Sequence, residues 1–152
     1  MNHNKLRPSQ GSLFKRQKGV YQLLIYLSDS THIRIGKRGT FRFPKGYYIY
    51  TGSAKNGLNG RVQRHLRENK KHFWHIDYLL DHASVKKVFL FLDGSADECS
   101  ISRKMLTKSE AKVIVPKFGA SDCNCPTHLV FFTPLKHVPR GDSIYSFSFA
   151  KR

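Results

Sequence analysis

The residues whose types and spacing could do chemistry fall into three groups. These are Gly19-Val20-Tyr21, then Tyr50-Thr51-Gly52, then Arg61, Arg64 and His65 within one helical stretch. Hydrolysis of a phosphodiester by water needs a proton acceptor near the water, positive charge at the non-bridging oxygens, and a cation or acid near the leaving oxygen. Tyr21, Arg61 and a metal ion held by a carboxylate could meet those needs. A tyrosine ionises at about pH 10 when unperturbed, so Tyr21 would depend on the positive charge around it. At about 100° per residue, Arg61 and His65 lie one turn apart beside the apolar stripe of Leu58, Val62 and Leu66, where they can share one phosphate at the rim of a core.

Plainer readings compete at each position. Arg61 could be a solvated helix arginine, the tyrosines could be sheet-packing residues among seven Tyr and eleven Phe, and His65 a packed rim histidine. Ser95-Ala96-Asp97-Glu98 reads as a capping box, in which Glu98 at the third helical position would bond the backbone of Ser95. Cys123-x-Cys125-x-x-His128 together with Cys99 could make a structural zinc site, although the spacing matches no common zinc pattern and buried thiols serve as well. Within Phe73-Trp74-His75-Ile76-Asp77-Tyr78, His75 and Asp77 could support a site, or the segment could simply start a helix with an aromatic staple.

The elements that must position these residues are legible from periodicity. Residues 20–27 are rich in β-formers, 28–30 read as a turn, and 31–36 return as a second strand, so a hairpin is expected there. Phe41 and Phe43 form a short edge segment before Pro44, and residues 47–51 make a strong strand ending at Gly52. Leu58, Val62 and Leu66 predict a helix to about residue 69, and Ile76, Leu79, Leu80 and Ala83 predict a second. Residues 85–92 have strand length, Ser95 can cap a third helix carrying Ile101 and Met105, and 128–133 form a late strand. The expected fold is α/β, a small, mostly antiparallel mixed sheet flanked by helices, with an extra hairpin at 31–43 between the two tyrosine motifs. Residues 1–17 read as a flexible basic arm, 18–135 as one domain and 136–152 as a C-terminal extension.

Charge sets the class of partner. With 27 Lys+Arg against 10 Asp+Glu the formal net charge is +17, and a polyanion would neutralise it. The stretch from Ser30 to Arg67 contains nine basic residues and no acid, with Lys37, Arg38, Lys55, Arg64 and Arg67 as candidate phosphate contacts. The longest apolar run, 20–27, is interrupted by Gln22 and is too short to span a bilayer. No apolar segment with a cleavage site follows the N-terminus, so an intracellular, cytoplasmic protein without a membrane partner is expected. In that setting three cysteines argue for reduced thiols or a metal site and against a disulfide.

The string Gly19-Val20-Tyr21, Tyr50-Thr51-Gly52-Ser53-Ala54-Lys55, Leu58, Arg61, Arg64, His65 resembles the GIY-YIG nuclease family, over about residues 18–107 and more loosely to 132. Trp74-His75-Ile76-Asp77-Tyr78-Leu79-Leu80 and Ser121-Asp122-Cys123-Asn124-Cys125 are similar to a poorly characterised branch, sometimes joined to base-excision repair glycosylases. Val20 and Thr51 depart from the name-giving motifs but are β-branched like the residues they replace. The resemblance implies a metal-dependent endonuclease acting on nucleic acid, DNA rather than RNA. In it Tyr21 takes the proton of the attacking water, Tyr50 orients that water, Arg61 holds the scissile phosphate and His65 contributes a hydrogen bond. Glu98, or failing it Asp97, would hold one divalent cation, Mg or Mn. The alternative is a non-catalytic nucleic-acid-binding protein on the same scaffold.

Overall fold

The computed structural model describes residues 18–55, 57–91 and 97–132, with the backbone of 146–148. The predicted N-terminal arm, most of the C-terminal extension and Ser95 lie outside the described residues. Four antiparallel pairings build a five-stranded sheet in the order β6-β4-β1-β5-β7. At its centre is β1 (Gly19–Leu27), flanked by β4 (Gly46–Ala54) and β5 (Ser84–Phe91), with β6 (Leu129–Phe132) and β7 (Ser146–Ser148) at the edges. A separate two-stranded sheet pairs β2 (Thr31–Arg34) with β3 (Thr40–Phe43).

Side-chain alternation along β1 divides the interior in two. Tyr21, Leu23, Ile25 and Leu27 face the larger core, shared with Tyr48 and Tyr50 of β4, with Leu58, Val62 and Leu66 of α1 (Leu58–Leu66), and with Ile76, Leu79 and Leu80 of α2 (His75–Leu80). Leu24 faces the other way, into a smaller core with Ile49, Phe89, Val130, Phe132 and Met105 of α3 (Glu98–Leu106). Burial on both faces explains why β1 reads as a nearly continuous apolar run. Gln22, buried within it, donates to Thr51 Oγ1 at 3.0 Å.

Three expectations are corrected. Residues 31–36 do not pair with 20–27. Thr31 pairs with Phe43 and Arg34 with Thr40, so the hairpin lies wholly within the segment separating the tyrosine motifs. Its turn is a 3-10 segment, Gly36–Arg38, closed by Gly39 at φ 105°, a conformation costly for any residue with a Cβ. The first helix stops at Leu66 because Arg67 takes extended backbone. The Lys70 ammonium then satisfies the His65 and Arg67 carbonyls at 3.0 and 2.6 Å. The third correction is at α3, where the N-cap is Asp97 and its carboxylate accepts from Ser100 N at 2.7 Å. Glu98 is therefore the first helical residue and not the third, and its carboxylate does not serve the capping box.

Candidate functional site

The antiparallel register brings the two tyrosine motifs together, setting Tyr21 opposite Gly52 and Leu23 opposite Tyr50. A Cβ at Gly52 would run into the Tyr21 ring and hydroxyl, so glycine there makes room for the phenol. Next to this pair a cavity of about 480 Å³ opens at the end of β4. Tyr50 and Ser53 come from β4, Lys55 follows it, Arg61 comes from α1 and Glu98 from the first turn of α3. His75 at the start of α2, with Ser121 and Asp122 in the loop before β6, adds to the polar lining.

Of the five residues expected to carry chemistry, Tyr50, Arg61 and Glu98 line the cavity and Tyr21 and His65 do not. The latter two are buried directly behind it, with the Tyr21 hydroxyl 2.5 Å from His65 Nε2. The Tyr21 and Tyr50 rings pack at 6.4 Å between centroids. Burial raises the pKa of both phenols above the ordinary value. Each is opposed by Arg61, which lowers it, and reinforced by Glu98. The positive surroundings expected to help Tyr21 ionise are thus outweighed by desolvation. His65 moves the other way, since burial lowers its pKa from 6.5 to about 3 and it is neutral at pH 7.

Glu98 is half-buried, and burial raises its pKa, with Asp122 adding to the rise while Arg61 and a hydrogen bond from Ser53 oppose it. Two carboxylates and a hydroxyl, all oxygen donors, therefore meet at the cavity beside Arg61 and Lys55. Asp122 and Ser53 were not singled out as functional by sequence reasoning. Asp122 lies in a string that carries part of the family resemblance but was given no role there, and Ser53 is only the residue after the glycine of the second motif. Asp97 faces Ser100 N instead of the cavity.

Arg61 and Arg64 both place their guanidinium carbons over the Trp74 ring, at 4.1 and 4.2 Å from its centroid. Such contacts hold a flexible cation in one place. Arg64, expected at a backbone phosphate, donates to both oxygens of buried Asp77 at 2.9 Å. Asp77 Oδ2 also accepts from Phe73 N and Trp74 N, at 2.8 and 2.9 Å. Burial works to raise the Asp77 pKa, but these hydrogen bonds and the Arg64 charge hold it below the ordinary value. Arg38 is likewise engaged, donating to Pro116 O at 2.5 Å. Lys55 lines the cavity, whereas Lys37 and Arg67 lie away from it.

Behind Glu98, the donor atoms of Cys99, Cys123, Cys125 and His128 lie within 4.8 Å of one another. The Cys99 and Cys125 sulfurs lie side by side and Cys123 is free, so the four residues expected as a candidate metal site come together. The start of α3 and the loop before β6 converge here, with a Cα separation of 5.9 Å. With the pair reduced, three thiols and an imidazole make a cluster that could hold a metal ion.

Fold and site together define an α/β protein with an oxygen-donor and arginine cavity at the end of a central antiparallel sheet. The chain belongs to the family described as Domain of unknown function DUF123, whose model matches residues 20–142. No curated protein and no solved structure matches it. Among the described residues no helix is long and apolar enough to cross a membrane.

Proposed function

We propose that the protein is a metal-dependent endonuclease of the GIY-YIG type, acting on nucleic acid, with DNA ahead of RNA. The observation that carries this reading is the convergence of Tyr50, Arg61 and Glu98, from three different elements, on one cavity. A protein that only bound phosphates would have no use for Glu98 and Asp122 beside Arg61 and Lys55, because carboxylates there repel the ligand.

The oxygen donors of Glu98, Asp122 and Ser53 fit a hard divalent cation such as Mg or Mn. A carboxylate whose pKa is raised by burial and a like charge is one that a cation would stabilise in its ionised form. When bound, the cation would supply Lewis acidity toward the leaving oxygen. Arg61, fixed against Trp74, would hold the non-bridging oxygens as charge grows on them. Tyr50 would orient the attacking water from the cavity wall. Tyr21 and His65 form the covered pair behind it, where neutral His65 can accept a hydrogen bond from the Tyr21 hydroxyl and hold the phenol in place. The cysteine cluster is assigned to structural zinc, since thiolate and imidazole donors suit it.

The deciding experiment incubates purified protein with labelled single- and double-stranded DNA and RNA, in magnesium, manganese or chelator. Metal-dependent scission is the expected result. Salt-sensitive binding without scission under any of these conditions favours the non-catalytic reading, to which the raised phenol pKa values lend support. Duplex binding should weaken with salt at a slope of about −0.9 in log K per phosphate neutralised.

A further inference from the structure

Phe73 is 78% exposed, the most exposed large hydrophobic residue among those described, and it stands at the rim of the Arg61 and Glu98 cavity. Single exposed apolar side chains are common on protein surfaces, so exposure alone carries nothing. What distinguishes Phe73 is how firmly its segment is held. Its backbone N–H donates to Asp77 Oδ2 at 2.8 Å and that of Trp74 does so at 2.9 Å. Arg64, which grips the same carboxylate, also donates to Lys71 O at 3.1 Å. One residue earlier, the His72 ring stacks on Tyr78 with centroids 4.3 Å apart. The phenyl ring stands perpendicular to Trp74, with centroids 5.4 Å apart, and most of its surface is left to solvent. Trp74 cannot offer its own ring in the same way, because two guanidinium groups already cover it.

We infer that Phe73 is a stacking platform for an unpaired nucleobase of the substrate, next to the phosphate held by Arg61. The inference rests on the proposed nucleic-acid reading and refines its substrate class. An aromatic face presented on a clamped backbone beside cationic side chains matches how proteins bind single strands, with stacking on the ring and charge contacts along the backbone. Bases within a duplex are already stacked on their neighbours and gain nothing from a protein ring. The platform therefore selects nucleic acid with an unpaired nucleotide at the cavity, such as a single strand, an overhang or a flap.

The test measures binding by fluorescence anisotropy in chelator, so that it does not depend on cleavage. The probes are a single-stranded DNA oligonucleotide, a blunt duplex of the same sequence, and an abasic strand of equal length and charge. Phe73→Ala should weaken binding of the single strand about tenfold while leaving the duplex and the abasic strand unchanged, and Phe73→Tyr should bind as the parent does. Equal losses on all three probes, or no loss on the single strand, overturn the inference while leaving the nuclease reading standing. Absence of binding to every probe by the parent protein overturns both. The side chain is exposed, so its removal leaves the core intact, and circular dichroism of the variant should match that of the parent.

Discussion

The Glu98 carboxylate lies 3.7 Å from Nδ1 of His128, while Nε2 of the same ring lies 3.6 Å from the sulfurs of both Cys99 and Cys123. One imidazole thus faces the cavity carboxylate on one side and the cysteine cluster on the other. In metal sites the second nitrogen of a ligating histidine commonly donates to a carboxylate, which fixes the ring and the carboxylate together. Protein purified under reducing conditions should therefore carry about one zinc per chain by elemental analysis, and oxidation that closes the Cys99–Cys125 pair should release it. Zinc-free reduced protein with three titratable thiols would remove the metal from this cluster.

With Asp97 as the cap, Glu98 is free for other work, and the two residues should separate cleanly by mutation. Glu98→Gln should lower cleavage by about a hundredfold or more, as loss of a transition-state electrostatic contact does, with little change in unfolding temperature. Asp97→Ala removes the oxygen that accepts from Ser100 N, so it should lower the unfolding temperature and spare cleavage. Full activity in Glu98→Gln would move the carboxylate role to Asp122.

The Arg64–Asp77 pair clamps the segment that presents Phe73 and Trp74, and its carboxylate is fully buried. Removing one partner of such a pair leaves a buried charge uncompensated. Arg64→Ala should cost roughly 3 kcal/mol of stability by denaturant titration, and Asp77→Asn somewhat less, because the amide oxygen still accepts. A loss within about 0.5 kcal/mol in Arg64→Ala would mean the pair acts only as a surface contact.

Most of the sheet and all three helices were legible because apolar side chains recur at the strand or helix period. β1 and β4 face each other as two runs of β-formers, and the Leu58, Val62, Leu66 stripe is what α1 buries. The extra hairpin at 31–43 was legible between the tyrosine motifs, but the pairing of 31–36 with 20–27 was misread because β1 is the neighbour in sequence, whereas Gly39 and the 3-10 turn direct β2 to β3 alone. The α3 cap was misread because Ser95 and Asp97 are both good caps, and only the backbone path chooses between them. At the site, Tyr50, Arg61 and Glu98 were named in advance, but nothing in a one-dimensional pattern tells that Tyr21 is covered while Tyr50 lines the cavity. Nor does sequence spacing reveal that Arg64 is used up by Asp77, thirteen residues away.

Burial of His65 makes a stability prediction whose sign follows from linkage. The folded protein keeps this imidazole neutral down to about pH 3, whereas the unfolded chain protonates it near the ordinary value of 6.5. Between those limits the unfolded state binds more protons, so stability falls as pH drops from 6.5 toward 3 and is fully present above that window. The lowered pKa values of His75 and His128 act with the same sign, and the raised value of Glu98 acts against it. The effect of His65 is therefore read from a difference curve, with unfolding free energy measured against pH for the parent and for His65→Gln. The glutamine can still accept from the Tyr21 hydroxyl but has no proton to gain. The difference should be constant above about pH 7 and change by up to several kcal/mol in favour of the variant on acidification. Parallel curves through pH 4 would mean that His65 takes up its proton equally in both states, and that solvent reaches the Tyr21–His65 pair.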